Sequence, residues 1–403
     1  MPIAFRAEDI NQSIPDRFKA IAAHAPDSVA VRTRTCELSF AHLDGWSDAI
    51  AAAVLDRLGT GQEPVPFLLP QGPLAIATTL GILKAGKFYV PIDPSWGQPR
   101  AKELVSELNA RLALTDAEFG PSLRASGVTT IELATEPRPA GGGVDVNIHP
   151  DQPAYVYFTS GSTGRPKGVI DCHRNVLHNV MRYTHALRIG SADRLSLVQS
   201  CGFSGAVSSM FAALLNGAAS CPVDMRAETP VRLARWLDDL GVTIYHSVPS
   251  LYRRIVSAGD LFGRVRVVRL EGDRSDRLDL ELFRRHFAPP TILAVGLGAT
   301  ETGLVCQYFF DHDTVMPAGV VPIGRAVTDM AFDLRDDDGR PVQAGDAGEI
   351  VVKSRFLAIG YWNNAAATAR AFESDGNGSE RRYKTGDRGR IGNDGSLEYL
   401  GRL

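Results

Sequence analysis

Short apolar runs alternate with amphipathic segments along most of the chain. Between Phe40 and Leu58 apolar residues recur near the helical period, and Ser39 stands before them as a suitable N-cap. The runs Val65–Leu69 and Phe88–Ile92 are instead short and nearly continuous in apolar residues, which is typical of buried strands. Strands that alternate with helices in this way predict an α/β fold with mainly parallel pairing.

The same criteria assign the remaining elements of this part. Further helices are predicted at Asp16–His24, Leu74–Ala85, Arg100–Leu108, Asn175–Tyr183, Gly202–Ala213, Val231–Leu240, Ser250–Val256 and Leu280–Phe287. Further strands are predicted at Val29–Arg32, Leu112–Leu114, Ala154–Phe158, Arg194–Val198, Val242–Tyr245, Val265–Leu270 and Thr291–Val295. The last strand is predicted to end in the segment Gly296–Thr302, which is rich in Gly and Thr.

The pattern changes near the end of the chain. Strands are predicted there at Ala331–Arg335, Glu349–Lys353 and Leu397–Leu400, with turn signals at Asp337–Gly339 and Asn393–Gly395. The sequence therefore predicts two α/β subdomains with mainly parallel sheets and a smaller β-rich, barrel-like part over about 325–403. The Pro- and Gly-rich segment Glu136–Val146 is either a loop or a junction between subdomains.

Composition and charge narrow the class of protein. A length of 403 residues exceeds what one hydrophobic core usually supports, so two or three subdomains are expected. The net charge of −3 gives no electrostatic case for nucleic acid or an anionic membrane as a partner, and no apolar run is long enough to span a bilayer. Five scattered cysteines without metal-ligand spacing, and no evident signal peptide, predict reduced thiols and a cytoplasmic location.

The candidate chemistry centres on the segment Tyr157–Gly168. It follows a predicted buried strand and contains Gly, Ser and Thr residues with Lys167 near its end. Converging backbone N–H groups, hydroxyls and an ammonium group suit an anion, and phosphate above all. The alternative is an ordinary exposed turn, and the spacing of Gly164 and Lys167 does not match a Walker A motif. Composition alone leaves both interpretations open.

Six segments together resemble one family in order along the chain. They are Leu83–Pro94, Tyr157–Gly168, Gly298–Thr302, Gly348–Trp362, Tyr383–Asp387 and Gly401-Arg402. This set resembles the signatures of the adenylate-forming enzymes, and of the adenylation domains of nonribosomal peptide synthesis in particular. The resemblance covers essentially all residues and implies that the chain is the large N-terminal domain, because family members continue past Gly401-Arg402 into a small C-terminal domain with a second catalytic lysine.

The resemblance implies a role for each matching residue. The β- and γ-phosphates of ATP would be held by Thr159, Ser160, Gly161, Ser162, Thr163 and Gly164. The implied catalytic residues are Lys167 against pyrophosphate, Thr300 at the α-phosphate and Glu301 as the Mg²⁺ ligand. The remaining nucleotide contacts would come from Gly272, Leu297, Gly298, Ala299, Asp387, Tyr399 and Arg402, with Asp387 on the ribose hydroxyls. In isolation, Glu301 could equally be a helix-terminal acid, and Asp387 a turn residue.

Two positions depart from the family pattern. Leu297 stands where an aromatic residue usually stacks on adenine, which reduces stacking. Ser204 stands after Phe203 where enzymes for α-amino acids have an aspartate for the ammonium group. The other pocket positions implied by the resemblance are Gly205, Ser208, His246, Arg269, Glu271, Gly296, Leu304 and Val305.

This pocket leaves three hypotheses open. Arg269 could bind a second anion of an acid without an α-amine, or Glu271 could bind an amine placed elsewhere on the substrate. Alternatively, the two side chains pair with each other, because residues two apart on a strand share a face. A catalytic role for His173 is not expected, because a carboxylate nucleophile needs no general base.

The function implied is ATP- and Mg²⁺-dependent activation of a small carboxylic or amino acid, not a standard α-amino acid. An acyl-adenylate and pyrophosphate would form, and the acyl group would pass to the phosphopantetheine thiol of a carrier protein. The segments Lys84–Pro94 and Tyr383–Asp387 resemble peptide-synthetase forms more than those of acyl-CoA ligases. Transfer to free CoA, a luciferase-like oxygenase and a non-catalytic nucleotide-binding module remain the alternatives.

Overall fold

The computed structural model describes residues 3–136, 142–159, 166–317, 319–343, 345–374 and 380–403. The chain divides into two units, Met1–Ala227 and Glu228–Leu403, and each is described by itself. In the part of the chain that is described, no helix combines the length and the apolar character that crossing a membrane requires.

The first unit begins with capped helices. The Ser13 hydroxyl accepts a hydrogen bond from the Asp16 N–H at 3.2 Å, and Asp16 accepts one from the Ser13 N–H in return, which forms a capping box. Ser39 caps the second helix as the sequence predicted, because its hydroxyl accepts from the His42 N–H. The α-helices are α1 Ile14–His24, α2 Phe40–Leu58, α3 Pro73–Lys84, α4 Gly97–Leu108, α5 Gly120–Arg124, α6 His173–Leu187 and α7 Gly205–Leu214.

Two groups of strands pair within the first unit. The strands are β1 Val29–Arg32, β2 Glu37–Ser39, β3 Pro64–Leu68, β4 Phe88–Ile92, β5 Leu112–Thr115, β6 Thr129–Glu132, β7 Pro153–Thr159, β8 Lys167–Cys172, β9 Arg194–Leu197 and β10 Ala219–Pro222. One group has the order β8-β7-β4-β3-β5-β6 and is parallel except for the β7–β8 pair. The other has the order β9-β10-β1-β2 and is parallel except for the β1–β2 pair.

The second unit changes from parallel to antiparallel pairing along the chain. Its α-helices are α8 Pro230–Asp239, α9 Pro249–Val256, α10 Arg277–His286 and α11 Ala365–Ala371. Its strands are β11 Ile244–Ser247, β12 Val267–Leu270, β13 Ile292–Ala299, β14 Gly303–Phe310, β15 Pro322–Ala326, β16 Ala331–Arg335, β17 Ala347–Ser354, β18 Gly360–Tyr361, β19 Phe372–Ser374, β20 Arg381–Ile391 and β21 Leu397–Arg402. The strand order within this unit is β16-β17-β20-β21-β15-β14-β13-β12-β11, and only β11, β12 and β13 are parallel.

The predicted α/β fold class is confirmed, with two corrections. The described strands of the second unit do not close into a barrel, because β16 is an edge strand that pairs only with β17 and with an isolated bridge at Pro341. The strand predicted to end at Val295 continues to Ala299 as β13 and pairs with β14, which the sequence did not predict. Antiparallel pairing satisfies the backbone of this Gly-rich segment, so it does not form a loop.

Candidate functional site

A buried carboxylate lies in the turn between β13 and β14. Glu301 is 7% exposed, and the Tyr361 hydroxyl donates to its Oε1 at 3.0 Å. The Tyr383 hydroxyl lies near this carboxylate, whose charge acts on it. In the described part of the chain, no lysine or arginine forms an ion pair with Glu301. An ionised carboxylate is costly to bury without a counter-charge, so this environment fits a cation supplied by a ligand.

The two tyrosines belong to an ordered aromatic cluster. The ring of Phe372 lies between them, with centroids 5.7 Å from Tyr361 and 4.9 Å from Tyr383. Arg381 lies over Phe372 and donates to the carbonyl oxygen of Ala358 at 2.7 Å. Burial and the nearby carboxylate raise the pKa of both tyrosine hydroxyls. Both therefore remain protonated at neutral pH and act as hydrogen-bond donors.

A bulge in β20 presents Asp387, the second acidic residue of the predicted site. Lys384 and Arg388, four residues apart, pair with Val351 and Glu349, which are only two apart. The two additional residues leave the regular ladder in a turn that contains Gly386 at a φ of +69°. A left-handed residue there favours glycine, and bulges of this kind re-aim side chains.

Three hydrogen bonds stabilise this bulge. The Thr385 hydroxyl donates to the Ile350 carbonyl oxygen at 2.7 Å and accepts from the Asp387 N–H at 2.9 Å. The Glu349 carboxylate accepts from the Gly386 N–H at 2.9 Å. The bulge is therefore a fixed feature that positions Asp387.

Asp387 is bonded at one oxygen by two residues of β21. Its Oδ1 accepts from the Arg402 guanidinium at 3.0 Å and from the Tyr399 hydroxyl at 3.3 Å. Burial and the Asp387 carboxylate raise the pKa of Tyr399 to about 12, so this hydroxyl remains a donor. Among the described residues, no side chain donates a hydrogen bond to Oδ2. This oxygen fits as an acceptor for a ligand hydroxyl.

The nucleotide positions predicted around 272 and 297–300 lie at the ends of neighbouring strands. Gly272 follows β12 with a φ of +88°, and Leu297, Gly298 and Ala299 end the adjacent parallel strand β13. A Cβ at Gly298 would lie 2.8 Å from the Gly303 carbonyl oxygen, so only glycine fits. Carboxyl ends of parallel strands are the usual place for ligands in α/β proteins.

The predicted pocket residues of the second unit include a buried ion pair. Arg269 donates to both oxygens of Glu271, at 2.7 and 2.6 Å, and their side chains are 4% and 11% exposed. His246 stands beside Arg269 in the β11–β12 register, and burial together with the Arg269 charge lowers its pKa well below the usual value. Of the three hypotheses, the structure confirms that the two charges pair with each other. This group of side chains therefore has no net charge.

The other pocket positions of this unit are close-packed. A Cβ at Gly296 would lie 3.0 Å from Oε1 of Glu271 and 2.9 Å from the Leu304 side chain. Leu304 and Val305 lie in β14 and are 1% exposed. Glycine at 296 thus leaves room for the carboxylate.

The predicted site residues of the first unit fall into two groups. Thr159 ends β7 and pairs with Lys167 at the start of β8. The residues between them that the sequence assigns to phosphate, Ser160, Gly161, Ser162, Thr163 and Gly164, lie outside the described residues. The second group is Phe203, Ser204, Gly205 and Ser208 at the beginning of α7, where the Ser208 hydroxyl donates to the Gly205 carbonyl oxygen at 3.2 Å.

Sequence reasoning missed the partners of Glu301. Tyr361 and Tyr383 are 60 and 82 residues away from it, so no local spacing could connect them. Both residues stand in segments that carried the family resemblance. Their position within those segments was the available signal.

His173 has a structural contact. It is 1% exposed, its Nδ1 accepts from the Ile14 N–H at 3.2 Å, and burial lowers its pKa to about 3. The ring is therefore neutral at physiological pH. It satisfies a buried backbone donor.

Comparisons with known proteins address the family directly. A family profile described as AMP-binding enzyme matches residues 18–362. Pyochelin synthetase PchE of Pseudomonas aeruginosa (strain UCBPP-PA14) is 32% identical over 388 residues, covering 95% of this chain and 26% of that protein. Syringomycin synthase SyrB1 of Pseudomonas syringae pv. syringae is 31% identical over 397 residues, covering 96% of this chain and 64% of that protein.

A solved structure agrees with these matches. The nonribosomal peptide synthetase FmoA3 (S1046A) in its alpha-methyl-L-serine-AMP bound form aligns with a TM-score of 0.90 and 27% identity, covering 98% of this chain and 46% of that one. The chain spans only 11%, 17% and 6% of the length of three further synthases it matches. The chain therefore belongs to the AMP-binding enzyme family, among the adenylation domains of nonribosomal peptide synthetases, which are acid–thiol ligases.

Proposed function

We propose that this chain activates a small carboxylic acid as an acyl-adenylate, with ATP and Mg²⁺, and passes the acyl group to the phosphopantetheine thiol of a carrier protein. The substrate carboxylate would attack the α-phosphorus, and the bond to the β-phosphate oxygen would break to release pyrophosphate. The observation that carries the proposal is the buried Glu301 carboxylate, which accepts from the Tyr361 hydroxyl and has no protein cation among the described residues. Such a carboxylate suits Mg²⁺, which prefers carboxylate and phosphate oxygens.

Different residues of the second unit would bind different parts of the nucleotide. Glu301 would hold Mg²⁺, which supplies neutralisation of phosphate charge when bound. Asp387 would accept the ribose hydroxyls at its Oδ2, while Tyr399 and Arg402 fix its other oxygen. Thr300 would contact the α-phosphate. The adenine would lie against Gly272, Leu297, Gly298 and Ala299.

The residues of the first unit would bind the phosphates. Thr159 and Lys167 lie on either side of Ser160–Gly164 in the sequence, at the ends of an antiparallel strand pair. Lys167 would neutralise charge on the departing pyrophosphate, because preorganised cations stabilise charge that develops during the reaction. Relatives support ATP as the nucleotide, since FmoA3 has also been solved in an AMPPNP-bound form at a TM-score of 0.89 and 29% identity.

The substrate we propose has no α-ammonium group and no net charge at its far end. Ser204 stands where a carboxylate would be needed for an ammonium ion, and burying that ion without a partner is costly. Arg269 and Glu271 neutralise each other, and His246 is neutral. Hydroxy, keto and aryl acids satisfy these conditions.

A carrier protein is the proposed acceptor. The solved structure of holo-PA1221, an NRPS protein containing adenylation and PCP domains, aligns with a TM-score of 0.85 and 27% identity, covering 98% of this chain and 68% of that one.

All five cysteines lie in the described residues and are free thiols. A cytoplasmic location stays a prediction from the sequence.

The test is exchange of labelled pyrophosphate into ATP by the full-length protein, over a panel of hydroxy, keto, aryl, dicarboxylic, α-amino and β-amino acids. We expect exchange with at least one acid that lacks an α-amine and carries no charge other than its reacting carboxylate. No exchange with any acid, while ATP binds measurably, would instead support a non-catalytic module. With the active acid, a phosphopantetheinylated carrier and free CoA are then offered in competition. Preferential loading of CoA would overturn the carrier assignment.

A further inference from the structure

We propose that Tyr361 and Tyr383 are positioning residues that hold the Glu301 carboxylate in the orientation in which it binds the divalent cation. The inference rests on the proposed function, because it assumes that Glu301 is the metal ligand. It assigns a task to two residues that are not themselves expected to contact the metal, the nucleotide or the acid. It rests on the Tyr361 hydroxyl, which donates to one buried carboxylate, and on the Tyr383 hydroxyl, which lies near the same carboxylate.

The choice of donor matters for a metal ligand. A carboxylate has about four lone-pair sites, and the Tyr361 hydroxyl occupies only one of them. A lysine or arginine in the same place would fix the carboxylate but would also cancel its charge and compete with a cation. Tyrosine hydroxyls orient the group and leave its negative charge intact. Among the described residues, the Tyr361 hydroxyl is the only side-chain donor to Glu301.

The two hydroxyls are themselves held in place. Tyr361 and Tyr383 are 7% and 6% exposed, and both rings pack on Phe372. Tyr361 is further fixed through its backbone, because its N–H donates to the Thr368 hydroxyl at 2.9 Å. Rotation of either ring would break a ring contact, so the hydroxyl positions are set by packing.

The backbone of Glu301 is tied to the same structure. Its carbonyl oxygen accepts from the Ala358 N–H at 2.9 Å. The Ala358 carbonyl oxygen in turn accepts from Arg381, which lies two residues before Tyr383 on β20. Main chain and carboxylate of Glu301 are therefore both bound to the segment 358–361, and Arg381 of β20 holds that segment. Groups that orient a metal ligand in this way typically contribute about 10- to 100-fold to metal affinity.

The test uses Tyr361→Phe and Tyr383→Phe in the full-length protein. Each variant removes one hydroxyl and keeps the ring, so the packing on Phe372 is retained. Each is expected to raise the Mg²⁺ concentration for half-maximal pyrophosphate exchange by about tenfold, with much of the rate recovered at saturating Mg²⁺. Binding of Mn²⁺ to the complex with AMPPNP, followed by electron paramagnetic resonance, should weaken by the same factor.

Tyr252→Phe is the matched control. Tyr252 is also fully buried in the second unit, and its hydroxyl donates to a backbone carbonyl oxygen, that of Asp279, at 3.3 Å. This variant should lose stability to a similar degree without a change in metal dependence. Melting temperatures of all variants separate a folding defect from a metal defect, and Tyr383→Phe serves if Tyr361→Phe does not fold.

Two outcomes distinguish the inference from the proposed function. If Glu301→Ala abolishes Mn²⁺ binding while both tyrosine variants bind it as the parent does, the positioning role is wrong and the metal assignment stands. If Glu301→Ala also leaves Mn²⁺ binding unchanged, the metal assignment itself is wrong. Equal loss in Tyr252→Phe would overturn the inference as well, because it would show a general effect of a lost buried hydroxyl.

Discussion

Two buried charged groups, one in each unit, differ in whether the protein supplies a counter-charge. The Lys84 side chain is fully buried in the first unit and bonds to Asp44 and Asp48 at 2.5 and 2.8 Å, so the protein supplies its counter-charge. Glu301 in the second unit is almost as buried, but the described side chain that hydrogen-bonds it is the neutral Tyr361 hydroxyl. A buried ion is normally paired within the protein. The unpaired charge is therefore the better marker of a place where a ligand completes the structure.

The largest effect is expected where the protein pairs its own charge. Lys84→Ala would leave Asp44 and Asp48 partly buried without a cation, which should cost about 3–5 kcal/mol of unfolding free energy. Urea denaturation of the parent and the variant measures this loss. Lys102→Ala, an exposed lysine on α4, is the control and should stay within about 0.5 kcal/mol. A small loss in Lys84→Ala would show that the pair is not the source of stability.

The role of the unpaired Glu301 is tested by substituting it and measuring activity. Glu301→Ala should lower pyrophosphate exchange by about 10²-fold or more, because a metal clamp supplies several kcal/mol to the transition state. The melting temperature should fall little, because no ion pair within the described residues is broken. Glu281→Ala, an exposed residue of α10, should leave exchange unchanged. Retained exchange in Glu301→Ala would remove this residue from the metal site.

His173 represents a third solution, in which a buried group is neutral. Its pKa is about 3 in the folded state against about 6.5 when unfolded, so the unfolded chain binds more protons between these values. Its contribution to stability is complete above pH 6.5 and is lost as the pH falls, by about 2 kcal/mol between pH 7 and pH 5. The stability advantage of the parent over His173→Leu should shrink by that amount. An advantage independent of pH would contradict the lowered pKa.

The smallest effect is expected when the Arg269–Glu271 ion pair of the proposed pocket is broken. Glu271→Gln removes the carboxylate that neutralises Arg269, so a dicarboxylic acid gains a counter-charge there. We expect its pyrophosphate exchange relative to the parent's preferred acid to rise about tenfold, or roughly 1.4 kcal/mol. The control is Glu281→Gln, which should leave the ranking of acids unchanged. An unaltered ranking in Glu271→Gln would place this pair outside the substrate pocket.

The sequence predicted the elements whose own pattern determines them. Val29–Arg32, Phe88–Ile92 and Ala331–Arg335 begin and end where the apolar pattern placed them, and Ser39 caps its helix. The strands β14 and β20 were missed. Their residues form strands through pairing with distant neighbours, and a short motif of Gly and Thr does not show that pairing.

For the site as well, the sequence could not predict contacts that depend on distant segments or on burial. The Arg269–Glu271 pair could be anticipated, because residues two apart on a strand share a face. The sequence could not choose it over the two alternatives, since that choice depends on burial. The tyrosines near Glu301 could not be anticipated from local spacing, because three separate segments meet there, and their place in the family-resembling segments was the only signal.

The bulge in β20 has a consequence for how related chains can diverge. Between the pairs Lys384–Val351 and Arg388–Glu349, three residues of β20 face one of β17, so the excess is two residues, an even number. A deletion of two residues there would restore a regular ladder and leave every later side chain on its original face, because the pleat repeats every two residues. Such a chain would keep the pairing of β17 with β20. It would lose the turn that presents Asp387. If Asp387 binds the ribose as proposed, strand pairing and nucleotide recognition are separable at this single point.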